Sequence, residues 1–179
     1  MSQYDKIIFT GPVGAGKTTA IEAISDIPPV MTDASASDMT LNRKGYTTVA
    51  LDYGVLYLDN RSKVHLYGTP GQERFEFMWE ILTNGGIGLI LLLDNSRPNP
   101  LKDMQFFLDA FSDFLKSAPV VIGITKTDIK QAPAIDAYAE ILENRGMRPP
   151  IFEVDGRSRD DVKNLVMALL FSIDPGLGD

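Results

Sequence analysis

"KIIFTGPVGAGKTTAIEAIS", Lys6 to Ser25, is the stretch on which the fold turns. Lys6–Gly11 is a short apolar run ending in glycine, which reads as a buried strand. "GKTTAIEAIS" then reads as a helix. Between them, "GPVGAGKT" (Gly11–Thr18) satisfies G-x-x-x-x-G-K-[ST] in the strand–loop–helix setting that the motif requires. Gly11 and Gly16 let the backbone curl so that its N–H groups converge on phosphate oxygens. The start of the helix adds its positive end. Lys17 can reach the β- and γ-phosphates, and the Thr18 hydroxyl can ligate Mg2+. Gly11, Val13, Gly14, Ala15, Gly16, Lys17, Thr18 and Thr19 therefore form the candidate phosphate site. A glycine-rich turn with a chance lysine is the competing reading, and the flanking strand and helix weigh against it. The loop alone specifies a nucleoside triphosphate and no base.

Composition narrows the setting. A chain of 179 residues suits one domain with one core, spanning 1–179 with a frayed tail from about 174. A net charge of −7 disfavours general binding to nucleic acid or anionic membranes. There is no cysteine, which excludes disulfides, thiol chemistry, cysteine-held metal, prenylation and palmitoylation. Ser2 follows the initiator Met, where myristoylation needs glycine. No apolar run reaches the roughly 18 residues of a membrane helix. These points lead to the expectation of a cytoplasmic protein without a lipid anchor.

Further along, Ser-, Asp-, Thr- and Pro-rich residues 26–47 read as one long mobile loop. "TVALDYGVLYL" and "KVHLYG" read as two strands around the turn "DNRS". "IGLILLL" (Ile87–Leu93) is a continuous apolar run, as expected of a central parallel strand covered on both faces. Leu101, Met104, Phe107, Leu108, Phe111, Phe114 and Leu115 recur at helical spacing. "PVVIGI" and "IFEV" complete the strands, and helices follow around Ile135–Leu142 and Leu165–Ile173. Ser158 with Asp161 resembles a capping box. Strands alternate with helices, so the fold class is α/β, three-layered, with a mainly parallel sheet.

"TKTD" (Thr125–Asp128) stands where a strand ends and resembles the guanine-reading N-K-x-D of GTPases. A carboxylate at Asp128 can accept from guanine N1–H and the exocyclic amine, a donor pair that adenine lacks. The stem of Lys126 would lie on the base. Thr125 keeps a hydroxyl where the motif has Asn but loses the amide that ties this loop to the phosphate loop. After the last strand, "FEVDGR" (Phe152–Arg157) occupies the place of E-T-S-A-K. Gly156 falls on the residue whose backbone N–H meets guanine O6, with Asp155 and Arg157 replacing Ser and Lys.

Taken in order, the phosphate loop, the long loop, "TTVALDY", "TPGQERF", "TKTD" and "EVDGR" resemble the Ras-like small GTPases over almost the whole chain. "GQERF" has the Rab spelling. The branch most similar is the bacterial and archaeal one that includes the gliding-motility GTPases. That resemblance implies a P-loop NTPase (small G-protein) fold, with a six-stranded sheet and one antiparallel strand. It implies GTP and GDP as ligands with Mg2+ and a switching role, and the side chain of Val13 beside the γ-phosphate leads to the expectation that hydrolysis of GTP to GDP is slow. Partners would be a protein effector or regulator at the switch segments, including a small roadblock-type dimer.

The resemblance also distributes roles within the switches. Thr48 is the switch-I threonine, with its hydroxyl on Mg2+ and its N–H on the γ-phosphate. Gly71 offers its N–H to the γ-phosphate, and Gln72 orients the attacking water. Lys17 and Gln72 are the catalytic pair. Phe75, Phe77 and Trp79 are expected in the core, with a partner-reading face as the alternative. Val13 stands where many Ras-like proteins have Gly, crowding the γ-phosphate. Arg43, Lys44 and Arg61 are candidate cations supplied in cis.

Gly68 departs from the pattern, for the family has an aspartate there that holds Mg2+ through water. Asp52 lies four strand residues beyond Thr48, about 13 Å at strand rise, which places it out of reach. Asp33 and Asp38, in the long loop, are the candidate replacements. Two other readings stay open. In a P-loop ATPase or kinase, Asp94 at the end of "LILLLD" would hold magnesium, but no arginine-rich lid accompanies it. A pseudo-GTPase binding module is the other, favoured by Gly68 and Thr125. His65, the only histidine, is expected to be structural.

Overall fold

The computed structural model describes residues 5–28, 30–35, 48–59, 61–71 and 76–178. Seven strands form one sheet in the order β2-β3-β4-β1-β5-β6-β7. They are β1 (Lys6–Thr10), β2 (Val30–Ser35), β3 (Thr48–Tyr57), β4 (Lys63–Gly68), β5 (Gly86–Asp94), β6 (Val120–Thr125) and β7 (Ile151–Glu153). The helices are α1 (Lys17–Ile24), α2 (Glu76–Thr83), α3 (Pro100–Ala110), α4 (Ser112–Leu115), α5 (Ile135–Asn144) and α6 (Arg159–Ile173). A 3-10 turn, Pro175–Gly178, follows α6.

The expected architecture holds: a mainly parallel sheet with helices on both faces. β3 is the one reversed strand, antiparallel to β2 and β4. β1 pairs in parallel with β4 and β5, β5 with β6, and β6 with β7. The sheet gains an edge strand over the expected six. Val30–Ser35 pairs with Tyr53 through Thr48 and is not part of a loop. Its place within a Ser-, Asp-, Thr- and Pro-rich stretch hid it, because a ladder of backbone hydrogen bonds leaves no mark in side-chain composition.

Alternation along the central strands builds the two cores. Ile90 and Leu92 of β5 face one side with Ile7, Phe9, Leu66 and the apolar stripes of α1 and α6. Leu89, Leu91 and Leu93 face the other with Ile8, Trp79, Tyr138 and α3. β6 is buried along its whole length, which explains its unbroken apolar spelling. Ser158 caps α6, its Oγ accepting from the Asp161 N–H at 3.2 Å. The Asp161 carboxylate turns instead to the Asp155 N–H, at 2.8 Å. The capping box is therefore half formed, and its acid braces the loop after β7.

Candidate functional site

Among the described residues, the phosphate loop, Gly68, Asp94 and "TKTD" gather at the carboxyl ends of β1, β4, β5 and β6, where open parallel sheets place ligands. The loop leaving β1 is positive in φ at Gly11, Gly14 and Gly16. A Cβ on Gly11 would lie 2.0 Å from the Leu92 carbonyl oxygen, so only glycine fits against β5. Lys17 is buried and its Nζ donates to the carbonyls of Gly11 at 2.7 Å and Pro12 at 2.8 Å. The ammonium is thus folded onto its own loop. Burial pushes its pKa down to about 8, against the opposing pull of the Asp52 carboxylate and with a further push from Arg97. Phosphate oxygens would relieve that desolvation.

Thr18 donates its hydroxyl to Asp52 Oδ2 at 2.6 Å. The expectation that Asp52 lies out of reach is therefore overturned. The distance from Thr48 was measured along β3, whereas the relevant step is across the ladder: Asp52 pairs directly with Gly68. A Cβ on Gly68 would sit 3.0 Å from Asp52 Cβ and 3.1 Å from its Oδ2. The Asp52 carboxylate on β3 thus fills the space beside Gly68 on β4. Asp33 belongs to β2, opposite Ala50, and not to a mobile loop. Asp38, Arg43 and Lys44 lie outside the described residues, as do Gln72 and Phe75. Thr48 opens β3 opposite Ser35, and its side chain lies outside the described part of the structure. Arg61 sits in the β3–β4 turn, seven residues before Gly68 at the other end of β4, with its N–H on Asp59 at 2.7 Å. At strand rise that is about 20 Å from the phosphate loop, so it is not a cation for this site.

Gly71 closes the phosphate loop from the β4 side. A Cβ there would lie 2.7 Å from the Val13 N and 2.9 Å from Lys17 Nζ. Val13 itself is 55% exposed and flanks this contact. Thr69, which sequence reading missed, ties the segment down. Its N–H donates to the Phe9 carbonyl at 2.9 Å and its hydroxyl shares a 2.8 Å bond with Thr10. Trp79 is buried as expected, whereas Phe77 is 43% exposed on α2, against the expectation of a core position.

The "TKTD" segment docks onto the phosphate loop through side chains. Thr125 donates its hydroxyl to the Ala15 carbonyl at 2.9 Å and to the Leu93 carbonyl at 3.2 Å. The tie that Asn was expected to provide is thus made by threonine. Lys126 donates to the Gly14 carbonyl at 2.7 Å and to Asp94 Oδ2 at 2.8 Å. Asp94 Oδ1 accepts from Ser96 N–H at 2.9 Å and from its hydroxyl at 2.5 Å. Burial raises the Asp94 pKa, but Lys126 and Ser96 outweigh it and hold the carboxyl below its usual range. Its oxygens are committed to this network, which argues against a metal role.

Beside these residues opens a cleft of about 710 Å³, lined by Gly14, Gly16, Thr19, Lys126, Asp128 and Gly156 among others. A Cβ on Gly156 would meet nothing nearer than the Gly16 carbonyl at 3.6 Å, so the position carries no steric demand for glycine. Arg157 forks onto Asp155 with two bonds of 2.9 Å. That fork and the Arg157 N–H hold the Asp155 carboxyl down at about 2. His65 bonds Tyr53 Oη through Nδ1 at 2.7 Å and stacks on its ring, away from these groups, as a structural histidine would.

Residues 26–169 match the model of a family described as a conserved hypothetical ATP binding protein. The chain belongs to that family. An uncharacterized protein of Methanocaldococcus jannaschii is 33% identical over 133 residues, covering 74% of this chain and 77% of its own. The mutual gliding-motility protein MglA of Myxococcus xanthus is 23% identical over 152 residues, 79% of this chain and 77% of MglA. The Ras-related protein RABA2a of Arabidopsis thaliana is 24% identical over 148 residues, 77% of this chain and 64% of its own. These relatives place the family member within the Ras-like superfamily. Nucleotide binding is its family-level property. Among the described residues, no helix is long and apolar enough to cross a membrane.

Proposed function

We propose that this chain is a GTP-binding molecular switch that alternates between GTP and GDP and hydrolyses GTP slowly. The observation that carries the reading is the docking of Thr125 and Lys126 onto the carbonyls of Ala15 and Gly14. It makes the phosphate loop and the Asp128 cleft one continuous site. Asp128 is then the acceptor for guanine N1–H and its exocyclic amine, Lys126 the flat support for the base, and the Gly156 N–H the donor to O6. Asp155 and Arg157 close the rim as an ion pair.

Mg2+ suits the donors at the phosphate end, a hydroxyl and a carboxylate already in contact, Thr18 and Asp52. When bound, it would neutralise the charge on the phosphates. Thr18 and Thr48 would be its direct ligands, with Asp52 in place of the switch-II aspartate. Lys17 would leave the carbonyls of Gly11 and Pro12 for the β- and γ-phosphates. Gly71 would sense the γ-phosphate with its N–H, and Gln72 would aim the water. Loss of the γ-phosphate releases Gly71 and Thr48, and the switch segments relax. A protein effector or regulator would read that change, a roadblock-type dimer being the partner the resemblance suggests.

The family's description favours a second reading, ATP as the nucleotide. Measuring the affinity of purified protein for GTP, GDP and ATP separates them. Guanine nucleotides should bind at least a hundredfold tighter, and a preference for ATP overturns the switch. Binding without turnover, with or without Mg2+ and partner, would leave a pseudo-GTPase module.

A further inference from the structure

Trp79 is the only tryptophan of the chain, and it is 2% exposed. Its ring stacks on Phe107 of α3 and on Phe111, which caps that helix, at centroid distances of 5.2 and 5.4 Å, with Phe106 edge-on at 6.2 Å. A buried indole N–H needs an acceptor, since an unmade bond costs about 1–3 kcal/mol. Here Nε1–H donates to the Pro70 carbonyl at 2.9 Å. That carbonyl and the Gly71 N–H are the two ends of a single peptide unit. The unit is trans, so its C=O and N–H point in opposite directions. Holding the carbonyl toward Trp79 therefore aims the N–H away from the aromatic core. The space that a Cβ on Gly71 would enter is already held by the Val13 backbone and the Lys17 ammonium, so this peptide unit lies against the phosphate loop.

We propose that Trp79 is a positioning residue for the Gly71 peptide, and that through it the terminal phosphate is coupled to α2 and the aromatic face of α3. The proposal rests on the reading of Gly71 as γ-phosphate sensor. When the phosphate engages the N–H, the peptide plane is fixed at both ends. When it leaves, the plane turns about the indole bond, or the bond breaks and α2 shifts. A ring that only filled the core would stabilise both nucleotide states alike.

The test uses the full chain loaded with GDP·Mg2+ or with GTPγS·Mg2+. Trp79 being the sole tryptophan, its emission reports the surroundings of this one indole and should differ between the two complexes. Trp79→Phe keeps the stacking and deletes the donor. It should weaken GTPγS binding about tenfold while GDP affinity stays within about twofold. Phe111→Leu perturbs the stacking and keeps the donor, so it should lower the melting temperature of both complexes and leave the affinity ratio unchanged. Identical emission in the two complexes overturns the proposal, and so does an unchanged ratio in Trp79→Phe. If Trp79→Phe fails to fold, the emission comparison alone decides. If the wild-type protein binds GDP but not GTPγS, the sensor reading of Gly71 fails first and the proposal falls with it.

Discussion

Asp52 on β3 and Gly68 on β4 are direct cross-strand partners, and the Asp52 carboxylate accepts the Thr18 hydroxyl at 2.6 Å. A carboxylate has in effect moved one strand over. Direct partners in an antiparallel pair are about 5 Å apart, within the reach of one aspartate side chain.

That relationship makes a reciprocal prediction. Asp52→Ala should raise the Mg2+ concentration needed for GTP binding by about 10–100-fold, as lost outer contacts to a metal do. Gly68→Asp alone should be destabilising, because it crowds the Asp52 carboxylate, whose Oδ2 would lie 3.1 Å from the new Cβ, and sets two like charges side by side. The double variant, with Asp52→Ala and Gly68→Asp, should recover much of the Mg2+ affinity. Nucleotide release on titration with a chelator reads all three, and a double variant no better than Asp52→Ala would reject the exchange.

Asp128→Asn replaces an acceptor pair with one acceptor and one donor. It should lower GTP affinity by at least about a hundredfold, because a donor then faces a guanine donor and leaves it unpaired. ATP affinity should change little. Equilibrium binding of labelled nucleotides checks both arms, and equal losses for the two bases would mean that Asp128 does not read the base.

Lys17 gives a signed pH dependence. Its pKa in the free protein lies near 8, below the ordinary lysine value, because the folded state desolvates the charge. Above about pH 8 the unfolded chain holds the proton that the folded chain has lost, so stability of the free protein rises with pH up to about 10. Triphosphate binding restores the proton. Affinity should therefore fall above pH 8, by up to about tenfold per unit, with proton uptake measurable by calorimetry in buffers of different ionisation enthalpy. Lys17→Arg, which stays charged, should flatten the profile even if it binds more weakly.

Thr125→Val keeps the shape and deletes the hydroxyl that reaches Ala15 and Leu93. Denaturant unfolding should show a loss of about 1–3 kcal/mol, the cost of leaving a buried carbonyl unpaired. GDP should also dissociate faster, because the base loop loses its tie to the phosphate loop. Unchanged dissociation would confine Thr125 to stability.

Much of this protein is written locally. The glycine spacing of Gly11–Thr18 and the apolar run Ile87–Leu93 identify a phosphate loop beside a central strand, because turn geometry and burial act over a few residues. "TKTD" and Thr69–Gly71 are legible for the same reason. The tertiary structure decided what depends on register and on contacts between distant segments. It put Asp52 across from Gly68, brought Thr125 to Ala15 and Lys126 to Gly14, and placed Arg61 in the β3–β4 turn, at the far end of β4. It also drew Val30–Ser35 into the sheet edge and set Trp79 behind the Gly71 peptide. Distance along a strand says nothing of what lies across it, since neighbours in a sheet are chosen by pairing that the chain order does not spell out.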